Sequence, residues 1–228
     1  MPAKSRSAPA AEAKKPRRGR PRSISREAIL DTAITLTEKE PGVPLSLAGV
    51  ARAVGMTPMA IYTYFENKDA MLQALTDRML SGLDVSSLES KPPIERVIGW
   101  ARMVRAHFQI RPQLTDMLVW EGGHGSIAWL NRSAPLATAL ADLGLKGDEQ
   151  ARTLSWLWGA IMGAIHYELR VRAEPEGITS EEIAAAQPEI RTVVENIQAL
   201  AGKPGSAEAA FEFELDRLCD GLKALSRP

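Results

Sequence analysis

Hydroxyl-bearing and cationic side chains cluster between residues 46 and 68. The segment SLAGVARAVGMTPMAIYTYF, residues 46–65, has two short helical patterns on either side of a turn at Gly55, which is the form of a helix-turn-helix. The second pattern would present Thr57, Tyr62, Thr63 and Tyr64 outward. Tyrosine hydroxyls and the cation of Lys68 could contact phosphates of DNA. The spacing fits equally well an ordinary helical hairpin with half-buried tyrosines.

A second concentration of positive charge lies at the N-terminus. Residues 1–26 hold nine Lys or Arg and one acidic residue, although the whole chain balances 28 Lys+Arg against 28 Asp+Glu. Residues 1–22 lack Ile, Leu, Val and aromatic residues, which predicts a disordered arm. Four arginines in the string RRGRPR suit a narrow minor groove, namely Arg17, Arg18, Arg20 and Arg22. A basic tail that only adds solubility is the alternative.

Large apolar side chains and imidazoles collect after residue 80, where all five Trp and all three His lie. Binding pockets are lined mainly by apolar and aromatic groups with few polar ones. We therefore predict a small-molecule pocket lined by Trp100, Met103, His107, Trp120, Trp129, Met162 and His166. The alternative is that these side chains are plain core.

Other chemistries lack the residues they require. A single Cys excludes an internal disulfide framework and a Cys-rich zinc site, and neither H-E-x-x-H nor C-x-x-C occurs. No nucleophile–base pair or carboxylate pair has a sequence spacing typical of a catalytic site, so we expect no catalytic residue, metal or cofactor. The longest nearly apolar run, residues 154–165, is shorter than the roughly 20 residues of a membrane span. We expect a soluble cytoplasmic protein.

Helical periodicity runs through almost the whole chain and strand signals are nearly absent, which predicts an all-α fold. Ser25, Ser46, Thr57 and Asn67 are predicted to cap the first four helices, with Pro58 at the first position of the third. Later helices are predicted from Pro92–Pro93, at 115–120, 127–143 and 149–172, within 175–205 with a break at Pro188, and at 207–225.

The stretch GMTPMAIYTYFENKDAML, residues 55–72, resembles the signature of the TetR family of bacterial transcriptional regulators. The upstream RGRPR and REAIL strings resemble the usual first helix of that family, so the resemblance covers about residues 17–80. It implies an N-terminal three-helix helix-turn-helix domain and a larger helical ligand-binding and dimerisation domain. It also implies a homodimer on a palindromic double-stranded DNA operator and a small apolar or amphipathic effector.

The resemblance also implies roles for single residues. The operator-facing positions are Thr57, Met59, Ala60, Tyr62, Thr63 and Tyr64. Lys68 matches the phosphate-contacting lysine, and Ser46 matches the start of the first helix of the motif. Pro58, Met59 and Ala60 depart from the pattern, because they offer no side-chain hydrogen bond to base edges. Readout there would rest on thymine methyl groups and DNA shape.

These observations predict three parts: a disordered basic arm at 1–22, a helix-turn-helix domain at 23–80 and a ligand-binding and dimerisation domain at 81–228. The helix predicted at 149–172 is apolar on two sides and has small residues at Gly159 and Gly163. We predict that it pairs with the last helix in a four-helix dimer interface. The expected function is a repressor that an effector releases from DNA; the alternative is a nonspecific architectural DNA-binding protein that uses the basic arm.

Overall fold

The computed structural model describes residues 24–40, 43, 45–118, 126–173 and 178–225. Every regular element in these ranges is a helix, so the all-α prediction is confirmed. The α-helices are α1 (Arg26–Lys39), α2 (Leu47–Ala53), α3 (Lys68–Leu80), α4 (Pro93–Ile110), α5 (Gln113–Leu118), α6 (Ile127–Arg132), α7 (Ala134–Asp142), α8 (Gly147–Ala173), α9 (Ser180–Ala185), α10 (Pro188–Ala201) and α11 (Ser206–Leu225). Short 3-10 helices span Ala60–Thr63 and Ser86–Leu88.

Three of the predicted helix caps are present. The side chains of Ser25, Ser46 and Asn67 accept hydrogen bonds from backbone N–H groups three residues later, at 3.1, 3.1 and 2.8 Å. Such a bond satisfies one of the N–H groups that a helix start leaves without an intrahelical partner. The starts of α1, α2 and α3 therefore follow from local sequence.

Two predicted helices are wrong in extent. The third, expected from Thr57, is only the 3-10 helix Ala60–Thr63, closed by bonds of the i to i+3 type such as Ala60 N–H to the Thr57 carbonyl. The helix expected at 127–143 is divided into α6 and α7 at Ser133. Pro135 explains this break, because proline has no N–H to donate and its ring clashes with the carbonyl four residues earlier.

The N-terminal helices enclose a small apolar core. α1 packs on α2 and α3, and the 3-10 helix packs on α2. Their fully or nearly fully buried side chains are Ile29, Ala33, Val50, Ile61, Phe65, Met71 and Leu75. This core fixes the orientation of the residues 55–65 relative to α3.

α4 is the central helix of the larger C-terminal part, where it packs on α7, α8 and α11. Its Trp100, Val104 and Phe108 are fully buried. α11 turns Phe211, Leu215, Leu218 and Leu222 into this core, whereas Leu225 is exposed. The large apolar residues of α11 at these four positions are thus buried within their own chain.

A buried cluster of charges joins α4 to α8 and α11. The guanidinium of Arg105 donates to both carboxylate oxygens of Glu168, with 2.7 Å from Nε and 3.1 Å from Nη2, and it also donates to Glu208. Gln109 Nε2 adds a bond of 3.0 Å to Glu168. Arg105 also lies over the Phe211 ring, 4.8 Å from its centroid. Three helices therefore meet at one buried ion pair.

None of the helices in the described part of the chain is both long and apolar enough to cross a lipid bilayer.

Candidate nucleic-acid interface

The segment between α2 and α3 holds the predicted DNA-facing residues. α2 ends at Gly55, whose φ of +75° lies in the left-handed region that glycine adopts without a Cβ penalty. Thr57 Oγ1 then accepts from Ala60 N–H at 3.3 Å and starts the 3-10 helix. This bond is the one that the predicted Thr57 cap would make. The turn and the two flanking caps set the direction of a four-residue helix.

One surface of this segment is open to solvent. The exposed side chains are those of Thr57, Pro58, Met59, Tyr62, Thr63 and Lys68, and Ser46 is exposed at the start of α2. Met59 and Tyr62 are 77% and 51% exposed, although both are large apolar or aromatic side chains. Ala60 is half-buried. Lys68 places an exposed cation at the first position of α3.

Tyr64 does not belong to that surface, so the expectation that it faces outward is wrong. Its hydroxyl donates to the Ile24 carbonyl at 2.8 Å, and its half-buried ring packs against the core. Ile61 and Phe65 on either side of it are buried. Tyr64 instead connects the residues just before α1 to the helix-turn-helix, and Arg26 adds to this by stacking 4.9 Å from the Phe65 ring centroid.

A cavity that the sequence did not suggest lies beside this segment. It has a volume of about 320 Å³ between the end of α1 and α2, and Glu40, Ser46 and Arg52 are among its lining residues. The exposed Val43 contributes to the same wall. The only sequence signal for it is the pair of apolar residues, Val43 and Leu45, directly before the Ser46 cap.

Three of the predicted pocket residues are core residues of the C-terminal part. Trp100 has no exposed surface, and its Nε1 donates to the Arg132 carbonyl at 2.7 Å. Its ring lies 5.5 Å from that of Trp129, which also contacts Phe108 at 6.2 Å. His107 is buried with Nε2 3.0 Å from the Met79 carbonyl, and burial lowers the pKa of its imidazole. Trp100, His107 and Trp129 thus have other core groups as partners, and their place in a pocket stays a prediction.

The remaining predicted pocket residues are less tightly packed. Met103, Met162 and His166 are half-buried. His166 Nδ1 is buried and has no hydrogen-bond partner within the described ranges, and the same holds for Nε1 of Trp158 one turn before Met162. The spacing of 158, 162 and 166 places the three side chains on one face of α8. Sequence reasoning missed Trp158, although the four-residue spacing was the signal that could have found it.

Five predicted site residues lie outside the described residues: Arg17, Arg18, Arg20, Arg22 and Trp120.

The face of α8 opposite the buried Leu157, Ile161 and Ile165 is exposed. Trp156 and Tyr167 are 41% and 68% exposed, and a Cβ added at Gly159 or Gly163 would meet nothing within 4 Å. The Trp156 ring rests against Gly221 of α11, where an added Cβ would come within 2.9 Å of the ring. α8 and α11 therefore lie side by side, with large and small apolar groups facing solvent.

The N-terminal part matches a known family. The model of the tetR family of bacterial regulatory proteins matches residues 29–75, which cover α1 through most of α3. Over these residues the chain is similar to the TetR family. This match contains every described candidate DNA-facing residue, from Ser46 to Lys68.

Curated regulators are similar to part of the chain. The HTH-type transcriptional regulator EthR of Mycobacterium tuberculosis is 34% identical over 97 residues, which are 41% of this chain and 45% of that one. The matched segments span less than half the length of these curated relatives.

Solved structures resemble the chain over most of its length. A possible TetR family transcriptional regulator from Streptomyces coelicolor A3(2) has a TM-score of 0.72 at 22% identity, over 88% of this chain and 100% of that one. The Streptomyces coelicolor TetR family protein ActR, in complex with actinorhodin, has a TM-score of 0.69 at 20% identity, over 90% of this chain and 99% of that one. At these identities the likeness shows the shared fold.

Proposed function

We propose that this protein is a dimeric transcriptional regulator that binds a palindromic double-stranded DNA operator and is released from it by a small apolar or amphipathic effector. The observation that carries the proposal is the exposed surface of the 3-10 helix and its preceding turn. Met59 and Tyr62 are more than half exposed there, whereas Ile61 and Phe65 of the same segment are fully or almost fully buried. Large exposed side chains on a rigid projecting element suit contact with a partner.

The chemistry of that surface divides into two kinds of DNA contact. Thr57 and Tyr62 bring hydroxyl groups, Lys68 brings a charge, and the exposed start of α2 at Ser46 brings another hydroxyl, all of which suit phosphates. Met59 and Pro58 bring only apolar surface. Their contacts with bases would be to thymine methyl groups, so sequence preference would depend partly on DNA shape.

A second subunit would supply the other half of the operator. Half-sites of helix-turn-helix dimers lie about 34–36 Å apart, one turn of the duplex. The exposed faces of α8 and α11, with Gly159 and Gly163 open and Trp156 and Tyr167 exposed, support a four-helix interface between two copies. An effector that favours a subunit spacing unsuited to the operator would then release the DNA.

The face of α8 formed by Trp158, Met162 and His166, which adjoins the exposed face with Gly159 and Gly163, supports an effector site. It combines apolar surface with two buried nitrogen atoms that lack partners in the described part of the chain. Buried polar atoms are satisfied in most proteins, and a bound ligand is one way to satisfy them. ActR, which shares this fold, is solved in complex with actinorhodin. An amphipathic ligand suits such a face.

The test is in-vitro selection of random DNA duplexes by the purified full-length chain. The proposal expects an enriched palindrome with half-sites one helical turn apart. A matched selection with Tyr62→Ala and Lys68→Ala should enrich the same sequence more weakly. If no sequence is enriched and binding falls steeply with salt, the protein is a nonspecific architectural DNA-binding protein, a reading that the nine basic residues in 1–26 favour.

A further inference from the structure

α10 has an apolar face that its own chain leaves uncovered. Ile190, Val193, Ile197 and Leu200 recur at three- and four-residue intervals and form one stripe along the helix. Each of the four is about half exposed or more. No residue of α10 is buried, which sets it apart from α8 and α11 within the described part of the chain. An amphipathic helix of this kind requires a partner for its apolar side.

The helices next to α10 also expose large apolar side chains. α10 packs beside α11, which packs beside α8. α8 exposes Trp156 and Tyr167, and α11 exposes Phe213. Most of the exposed large apolar side chains of the described residues after 150 lie on these three helices. Large exposed apolar surfaces mark sites of contact with a protein or a membrane.

The charges of the α9–α10 segment argue against a lipid surface as the occupant. Residues 178–201 carry four glutamates, two of them Glu189 and Glu195 on α10, and a single basic residue, Arg191. Helices that lie in an anionic membrane surface have polar faces rich in Lys and Arg. A self-complementary apolar face fits a two-fold contact, in which the same surface of each subunit is used.

We infer that the α10 stripe is part of the subunit interface and is covered by a second copy of this chain, as an extension of the α8–α11 contact. The inference rests on the dimer of the proposed function and adds to it a third helix from each subunit. α10 would then contact the partner subunit through side chains that are not buried in their own chain. Its covering would enlarge the interface beyond the four-helix contact.

The test compares two double variants of the full-length chain by sedimentation equilibrium. Val193→Asp/Ile197→Asp places two charges on the stripe, and Thr192→Asp/Asn196→Asp places the same charges, at the same spacing, on exposed positions about 100° around the helix from them. The stripe variant should raise the dimer dissociation constant about 100-fold, since each lost central contact is expected to cost on the order of tenfold. The control variant should match the wild type.

Folding is controlled independently. Because none of the four stripe residues is buried in the single chain, both variants should keep the far-ultraviolet circular dichroism of the wild type. If the aspartates disturb α10 itself, Ile190→Ser/Leu200→Ser repeats the test with smaller changes. The same rise in dissociation constant with either pair supports the inference, and an unchanged constant in a folded stripe variant overturns it.

Two further outcomes separate this inference from the proposed function. If Gly163→Arg on α8 gives monomers but the stripe variant stays dimeric, the α10 inference fails and the proposed dimer stands. A monomeric wild-type chain would contradict both. Flotation with phosphatidylglycerol and phosphatidylethanolamine vesicles completes the test. If the wild type and the control variant bind the vesicles and the stripe variant does not, while the stripe variant remains dimeric, the stripe contacts a membrane surface and the inference is overturned.

Discussion

Loss of the Glu168 carboxylate should destabilise the protein far more than loss of an exposed carboxylate on the same group of helices. The side chains of Arg105 and Glu168 are each only 8% exposed, and Glu168 accepts three hydrogen bonds from Arg105 and Gln109. Glu168→Leu would leave the Arg105 charge buried. Breaking a buried pair by removing one partner costs about 3–5 kcal/mol.

The lower end of that range applies because Arg105 keeps a second partner. Its Nη1 also donates to Glu208, a carboxylate that is 61% exposed and can follow the guanidinium. We therefore expect a loss of about 3 kcal/mol in the free energy of unfolding. For a chain of this size, that corresponds to a fall in Tm of roughly 6–12 °C.

The assay is urea unfolding followed by circular dichroism at a fixed protein concentration, because dimerisation makes apparent stability depend on concentration. The matched control is Glu212→Leu, which breaks the Arg102–Glu212 pair between α4 and α11, with side chains 56% and 33% exposed. Exposed pairs contribute about 0–1 kcal/mol. Arg105→Met/Glu168→Leu removes both buried charges and should recover most of the loss. Equal losses in the free energy of unfolding for Glu168→Leu and Glu212→Leu would show that burial of the Arg105–Glu168 pair makes its loss no more costly than that of an exposed pair.

Three further predictions concern the DNA surface, the arm and a buried imidazole. Tyr62→Ala should weaken binding to all DNA sequences alike and change the free energy of unfolding little. Tyr64→Phe should lower the free energy of unfolding by about 1 kcal/mol, because it loses the hydrogen bond to the Ile24 carbonyl. Equilibrium DNA binding and urea unfolding of both variants test the two predictions. Deleting residues 1–22 should weaken DNA binding and reduce its salt dependence while half-site preference persists, and unchanged affinity in a salt titration would show that the arm makes no contact. Burial lowers the pKa of His107, so its neutral form stabilises the fold above about pH 6.5 and that stability is lost as pH falls through the lowered pKa. Thermal unfolding between pH 7.5 and 5 should therefore show a smaller acid-induced loss for His107→Gln than for the wild type, and identical pH profiles would contradict this.

The features that sequence predicted well depend on local chemistry. Ser25, Ser46 and Asn67 cap their helices through bonds that reach only three residues along the chain. The helical spacing of apolar residues likewise shows which face of a helix will be buried, and Met71, Leu75 and Met79 of α3 are buried as their spacing indicates. Short-range patterns of this kind can be evaluated without a tertiary structure.

The features that sequence missed depend on contacts between distant segments. Tyr64 turned inward because its hydroxyl bonds the Ile24 carbonyl, 40 residues earlier. Arg105 meets Glu168 and Glu208 from 63 and 103 residues away, and nothing in the local pattern pairs them. Trp100 could not be assigned to core or pocket from its spacing, because a tryptophan at a helical position serves in either. Its bond to the Arg132 carbonyl is what places it in the core.

The central claim is that two copies of this chain bind one palindrome through the surface around Met59 and Tyr62. The direct measurement is fluorescence anisotropy with an enriched duplex and a second duplex in which one half-site is scrambled, both at 150 mM salt. Two subunits should bind each duplex, and the affinity for the intact palindrome should be about 10³-fold or more above that for nonspecific DNA, with a far weaker affinity for the scrambled duplex. Equal affinity for the two duplexes would contradict this claim.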